Sequence, residues 1–239
     1  MSGKNSILDN PWFKLSLLIL VFIASSATVM YLWFPSFIEI VWGGILVIWV
    51  LLVVFRFSKL VSRKWNKYVA RKFIHFLTGG LVAIIAPYIF EVPTIPVLGA
   101  LFMAIVTVAP RIWKKDLDWF QIKNNFGDTW FCLSFALLFL TFWYIDKWIA
   151  ITAALFMSIG DGITGIVRNR IYRRHVKGFW GSVAMLVVSV IIGVIYKGVL
   201  GVLTAIVATI VERIPLIDDN ITVPLISAGV MYFIPVLLA

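Results

Sequence analysis

Long apolar runs alternate with short polar segments along the whole chain. The runs cover about Pro11 to Phe34, Ile38 to Phe57, Phe73 to Phe90, Pro96 to Ala109 and Thr129 to Ile145. Four more cover Trp148 to Val167, Gly181 to Tyr196, Val199 to Val211, and Val223 to the end. A bilayer-crossing helix takes about 17–25 such residues. The pattern therefore predicts an all-α polytopic membrane helix bundle with nine spans. The fourth, seventh and eighth runs are short. Were 181–211 a re-entrant hairpin, the total would be seven and the side of every loop unchanged. The first run is longer than the apolar region of a signal peptide and is read as a retained helix.

The polar segments fix an orientation. With the N-terminus inside, 19 of the 21 basic residues fall on one side, leaving only Lys147 and Lys197 on the other. Cytoplasmic loops carry such an excess, so the expectation is a cytoplasmic N-terminus. Composition agrees with the class: the 239 residues are 62% hydrophobic and 13% charged, with mean hydropathy +1.02. The net charge of +10 follows from this topology and gives no ground for a nucleic-acid partner. The lone Cys132 excludes a disulfide framework and a cysteine metal site. No internal repeat or low-complexity segment is evident, and the chain reads as one transmembrane domain over 1–239.

The basic excess does not explain the acids. Eight of the eleven fall on the same inner side, several at span ends where a carboxylate is costly without a partner. Acids and bases gathered on one face suit a metal–nucleotide site, because magnesium takes carboxylates plus phosphate oxygens and Arg and Lys balance phosphate charge. The central stretch is Gly160 to Ser182. Asp161, Gly165 and Arg168 share one helix stripe there. Asp161 is a candidate magnesium ligand or base, and an ion pair with Arg168 is the competing use. Lys177 precedes Gly181-Ser182 at the start of a run, where helix N–H groups favour phosphate.

Further candidates flank this stretch. Arg71, Lys72 and His75 open the third run. Arg71 and His75 share a face, and His75 is suited to a phosphate or a substrate hydroxyl. Asp128 opens the fifth run, as a second acidic corner or as a helix cap. Glu212 ends the eighth, and Asp218-Asp219-Asn220 precedes the ninth.

In order and spacing, these segments resemble the CTP-dependent polyprenol kinase family, which includes dolichol and phytol kinases. The resemblance runs from about Arg71 to Pro224 and leaves the two spans in 1–57 outside it. It rests on Arg71, Lys72 and His75; on Gly160, Asp161 and Gly165; on Lys177, Gly181 and Ser182; and on Glu212, Asp219, Asn220 and Pro224. The family pattern has a hydroxyl residue and a glutamate where this chain has Gly178 and Trp180.

The resemblance implies transfer of the CTP γ-phosphoryl group to an isoprenoid alcohol at the cytoplasmic face, with magnesium. Asp161 and Lys177 would be catalytic. Arg71, Lys72, His75, Gly160, Gly165, Arg168, Gly181, Ser182 and Asn220 would bind nucleotide or phosphate. Asp161, Glu212, Asp219 and Asp128 would hold metal. Two other classes stay open: a CDP-lipid synthase, which also uses CTP, and a transporter of an anionic or lipid substrate.

Overall fold

The computed structural model describes residues 10–172, 178–214 and 218–238. Among them, seven helices are long and apolar enough to cross a membrane. They are α1 (Pro11–Leu32), α2 (Phe37–Lys64), α3 (Lys67–Ile89), α4 (Thr94–Ile112), α5 (Gly127–Tyr172), α6 (Phe179–Arg213) and α7 (Asp219–Leu238). The described residues contain no strand. The protein is an all-α polytopic membrane protein.

Two of the seven helices are hairpins. In α5 the backbone leaves the helical region at Asp146, with φ −162° and ψ 98°. Phe131 packs at Gly79 and Ile159 packs at the adjacent Gly80. A straight helix would separate Phe131 and Ile159 by about 42 Å, so the two arms run side by side. In α6 the break is Gly198, at φ +57°, a conformation open to glycine and costly for other residues. Its arms touch through Gly193 and Gly201, where a Cβ on either would lie 2.5 Å from the other's carbonyl carbon. Small residues permit this approach.

The turns of the two hairpins lie together. Lys197 pairs with Asp146 at 2.6 Å, and Tyr196 stacks on Trp148 at 5.6 Å. The α6 hairpin thus extends as far as the α5 hairpin does, and the seven helices comprise nine apolar passes. Lys147, whose Nζ donates to the Pro87 carbonyl at 3.1 Å, occupies this same end. The two basic residues assigned to the outer side therefore sit together, at the end of α3 opposite Arg71 and Lys72.

Local chemistry sets the helix starts. Asn10 caps α1 by accepting from the Trp12 amide at 2.9 Å, with Pro11 at the first helical position. Ser36 and Glu39 form a capping box at α2. The other oxygen of buried Glu39 accepts from the Glu91 and Val92 amides at 2.8 and 3.2 Å, joining the turn before α2 to the turn before α4. The start of α3 is capped by Asn66, which accepts from Val69 N at 2.9 Å and donates to Asn169 at 3.3 Å.

The core lies around α5. Its apolar residues, among them Leu138, Phe139, Ile151 and Leu155, are almost fully enclosed by α3, α4, α6 and α7. Helix α1 is the opposite case: few of its residues are buried, as suits a lipid-facing helix. Short π-helical turns interrupt α3 at Phe76–Gly80 and α5 at Phe156–Gly160. Such turns recur at functional sites, and here one follows His75 and the other ends just before Asp161.

Candidate active site

At one end of the bundle, the start of α3, the second arm of α5, both ends of α6 and the start of α7 converge. Each contributes charge. Asp161, Glu212 and Asp219 come from α5, α6 and α7, and one carboxylate oxygen of each lies within 4.8 Å of the others. Asp161 and Glu212 are buried, at 4% and 0% exposure. Two cations pair with the two buried members of the trio. Lys72 Nζ meets Asp161 Oδ2 at 2.5 Å. Arg168 donates through both terminal nitrogens to the two oxygens of Glu212, at 2.7 and 2.9 Å. Fork-to-fork pairing of this kind fixes both side chains in one plane.

The competing sequence reading, an ion pair between Asp161 and Arg168 on their own helix, is not the pairing found. Each residue points from the α5 stripe to a partner on another helix. The glycines make room for this. A Cβ on Gly165 would lie 2.5 Å from Lys72 Cε and 2.6 Å from Tyr68 Oη, and one on Gly181 would lie 2.6 Å from Arg168 Cγ. A Cβ on Gly160 would fall 2.7 Å from Ser189 Oγ, so this glycine serves the packing of α5 on α6. Ser182 lies buried beside Gly181, and its hydroxyl has no hydrogen-bond partner among the described residues.

A second polar group adjoins the first. Arg71 donates to Asn125 Oδ1 at 3.0 Å. Gly127 lets Arg71, Asp218 and Asn220 crowd against the start of α5. Asn220 donates from its backbone and side chain to Asp218 Oδ1, at 3.0 and 2.8 Å, and reaches Asp219 at 3.5 Å. His75, one turn beyond Lys72, is 2% exposed and stacks on Phe131 at 4.1 Å. Neither of its ring nitrogens has a partner among the described residues.

Asp128, expected among the metal ligands, stands outside the carboxylate trio. Arg111 donates to its Oδ1 at 2.8 Å and Gln121 to its Oδ2 at 2.5 Å. Both oxygens are thus engaged in bracing the 113–126 segment against α4 and α5. Lys177 lies outside the described residues. Tyr68 and Asn125 are not among the site residues expected from the sequence, whereas Asp218 belongs to the acidic turn considered there. Tyr68 had a usable signal, since it lies one helical turn before Lys72 and so shares its face. Trp180, at the position of the family's glutamate, is 54% exposed and contributes no side-chain ligand to the trio.

The donor set bears on the metal. Three carboxylates, with no thiolate or imidazole among them, form an all-oxygen site of the kind hard divalent cations take. The flanking Lys72 and Arg168 reduce its excess negative charge.

No family model and no solved structure matches the chain. A curated protein of Glycine max named "Probable phytol kinase 1, chloroplastic" aligns with it at 31% identity over 132 residues. The chain is similar to a phytol kinase. The alignment covers 45% of this chain and 43% of the relative, so the chain spans less than half the length of the curated protein it matches. The similarity agrees with the polyprenol kinase resemblance read from the motifs.

Proposed function

We propose that this protein is a lipid kinase that transfers the γ-phosphoryl group of CTP to the hydroxyl of an isoprenoid alcohol. The observation carrying this reading is the Asp161–Glu212–Asp219 trio, with buried Asp161 paired to Lys72 and buried Glu212 to Arg168 where five helix ends meet. The phytol kinase similarity supports the substrate class. Such a site suits a reaction in which positioning and charge neutralisation do most of the catalysis.

Asp161, Glu212 and Asp219 would hold magnesium, which when bound offsets charge on the donor phosphates. Lys72, Arg71 and Arg168 supply further positive charge for those phosphates. At the N-terminal turn of α6, Ser182 offers them its buried hydroxyl, which has no hydrogen-bond partner among the described residues. The alcohol oxygen forms a bond to the γ-phosphorus as the bond from that phosphorus to the β–γ bridging oxygen breaks, and CDP leaves. The hydroxyl proton passes to a carboxylate of the trio and from there to water. The helix ends give the nucleotide access to water while the alcohol's tail stays in an apolar phase. With the basic loops inside, this is the cytoplasmic face.

The position of the label separates this reading from its nearest competitor. Purified protein would receive magnesium, CTP labelled on either the α- or the γ-phosphorus, and as acceptor either geranylgeraniol or a lipid phosphate such as phosphatidic acid. A kinase moves only the γ label into lipid and releases CDP. Lipid labelled from the α position, with release of pyrophosphate, would identify a cytidylyltransferase instead. Parallel ATP reactions test the choice of base.

A further inference from the structure

An apolar cavity, partly open to its surroundings, runs between α2, α3, α4 and the first arm of α5. Its ionisable lining residues apart from Cys132 gather at one end: Arg71, His75 and Asp128. Phe90 and Ile95 line the other. Arg71 and His75 flank Lys72 on α3, and Lys72 holds Asp161. The polar end of the cavity therefore adjoins the carboxylate site. His75 is the second observation at that end. It is buried, it lines the cavity, and both its ring nitrogens lack a partner among the described residues. A buried imidazole ordinarily has a hydrogen-bond partner, and a hydroxyl both donates and accepts.

We infer that this cavity holds the tail of a single-chain isoprenoid alcohol of about four isoprene units, with its hydroxyl at His75. The inference rests on the kinase reading and adds the location and length of the acceptor. From His75 to Phe90 the cavity wall follows α3 for about 22 Å. An extended chain of about sixteen backbone carbons spans roughly 19 Å, from bonds of about 1.5 Å. A much longer polyprenol would outrun the cavity.

Gly99 sets the usable depth. It lines the cavity on α4, and a Cβ there would meet nothing within 4 Å. Thr107, at the polar end, is eight residues or about 12 Å away along the helix. A large side chain at position 99 would fill the far part of the cavity without striking the backbone. Gly44 on α2 is equally free of neighbours and does not line the cavity, so it provides a matched control.

The test uses the full chain in lipid nanodiscs with a C20 isoprenoid alcohol that carries a terminal photoreactive diazirine. Crosslinked peptides are mapped by mass spectrometry with and without excess geranylgeraniol. Turnover of C10 and C20 alcohols is measured on the same samples. The expected result is crosslinking to α2 and α4 near Gly43, Ile95 and Gly99 that geranylgeraniol suppresses. G99F should remove that crosslink and lower C20 turnover at least tenfold while sparing C10 turnover, and G44F should change neither. Competed crosslinks confined to other surfaces, or a G99F protein that still turns over C20 alcohol normally, would overturn the assignment while leaving the kinase reading intact. Saturable crosslinking in the cavity without phosphoryl transfer would retain the tail site and remove the kinase.

Discussion

Lys72 and Asp161 are 89 positions apart in sequence, yet their side chains meet at 2.5 Å in the interior of the bundle. The contact joins the first turns of α3 to the second arm of α5 and orients one of three convergent carboxylates. Because both groups are desolvated, losing one partner leaves the other as an uncompensated charge. That cost commonly reaches about 3–5 kcal/mol, more than the net worth of the pair.

Lys72→Met and Asp161→Leu should each lower the thermal stability of the purified protein, and the double variant should recover much of the loss. A cycle of melting temperatures in one detergent measures this. Additive losses would mean that the two charges do not depend on each other.

Removal of the other carboxylates should act on metal use. Glu212→Gln and Asp219→Asn should raise the magnesium concentration for half-maximal phosphoryl transfer by about tenfold or more, the scale on which partners of metal ligands act. Asp128→Asn should leave the magnesium requirement unchanged, because Arg111 and Gln121 already engage that carboxylate, and should instead lower stability. Magnesium titrations of the three variants separate the two behaviours.

Two glycine substitutions should have opposite effects. In Gly181→Ala the new methyl would press on the side chain of Arg168, which its pairing with Glu212 prevents from moving freely. Transfer should fall about tenfold, or about 1.4 kcal/mol in barrier. Gly229→Ala in α7 meets nothing within 4 Å and should stabilise the helix by about 0.5–1 kcal/mol. Initial rates and melting temperatures check both.

The α6 hairpin should depend on its glycines in different ways. Gly198→Ala places a Cβ at positive φ and should destabilise the protein by roughly 1–2 kcal/mol. Gly193→Leu forces a side chain into the backbone of the facing arm and should lower the melting temperature more. Equal effects would mean that close packing of the arms contributes little.

The nine passes were legible because charged or glycine-containing breaks interrupt the apolar runs at Asp146-Lys147 and Lys197-Gly198. Helix periodicity also placed Asp161, Gly165 and Arg168 on one stripe. Periodicity assigns faces within a helix but says nothing of which helix packs against which face. The exchange of partners, Lys72 for Asp161 and Arg168 for Glu212, was therefore hidden, as were the supporting roles of Asn125 and Asp218. Asp128 looked like its acidic neighbours until Arg111 and Gln121 were found on its two oxygens. The cavity was hidden for a related reason. Its walls come from four helices, and nothing in one apolar run distinguishes a cavity-facing glycine such as Gly99 from a lipid-facing one such as Gly44.

The most direct measurement is transfer of the γ-labelled phosphoryl group of CTP to geranylgeraniol by purified protein with magnesium, wild type beside Asp161→Asn. The account predicts labelled lipid phosphate from the wild type and at least a hundredfold less from the variant, with both proteins folded by their helical signal and elution profile. Folded wild type that labels no alcohol with either CTP or ATP, or an Asp161→Asn variant as active as wild type, would contradict it.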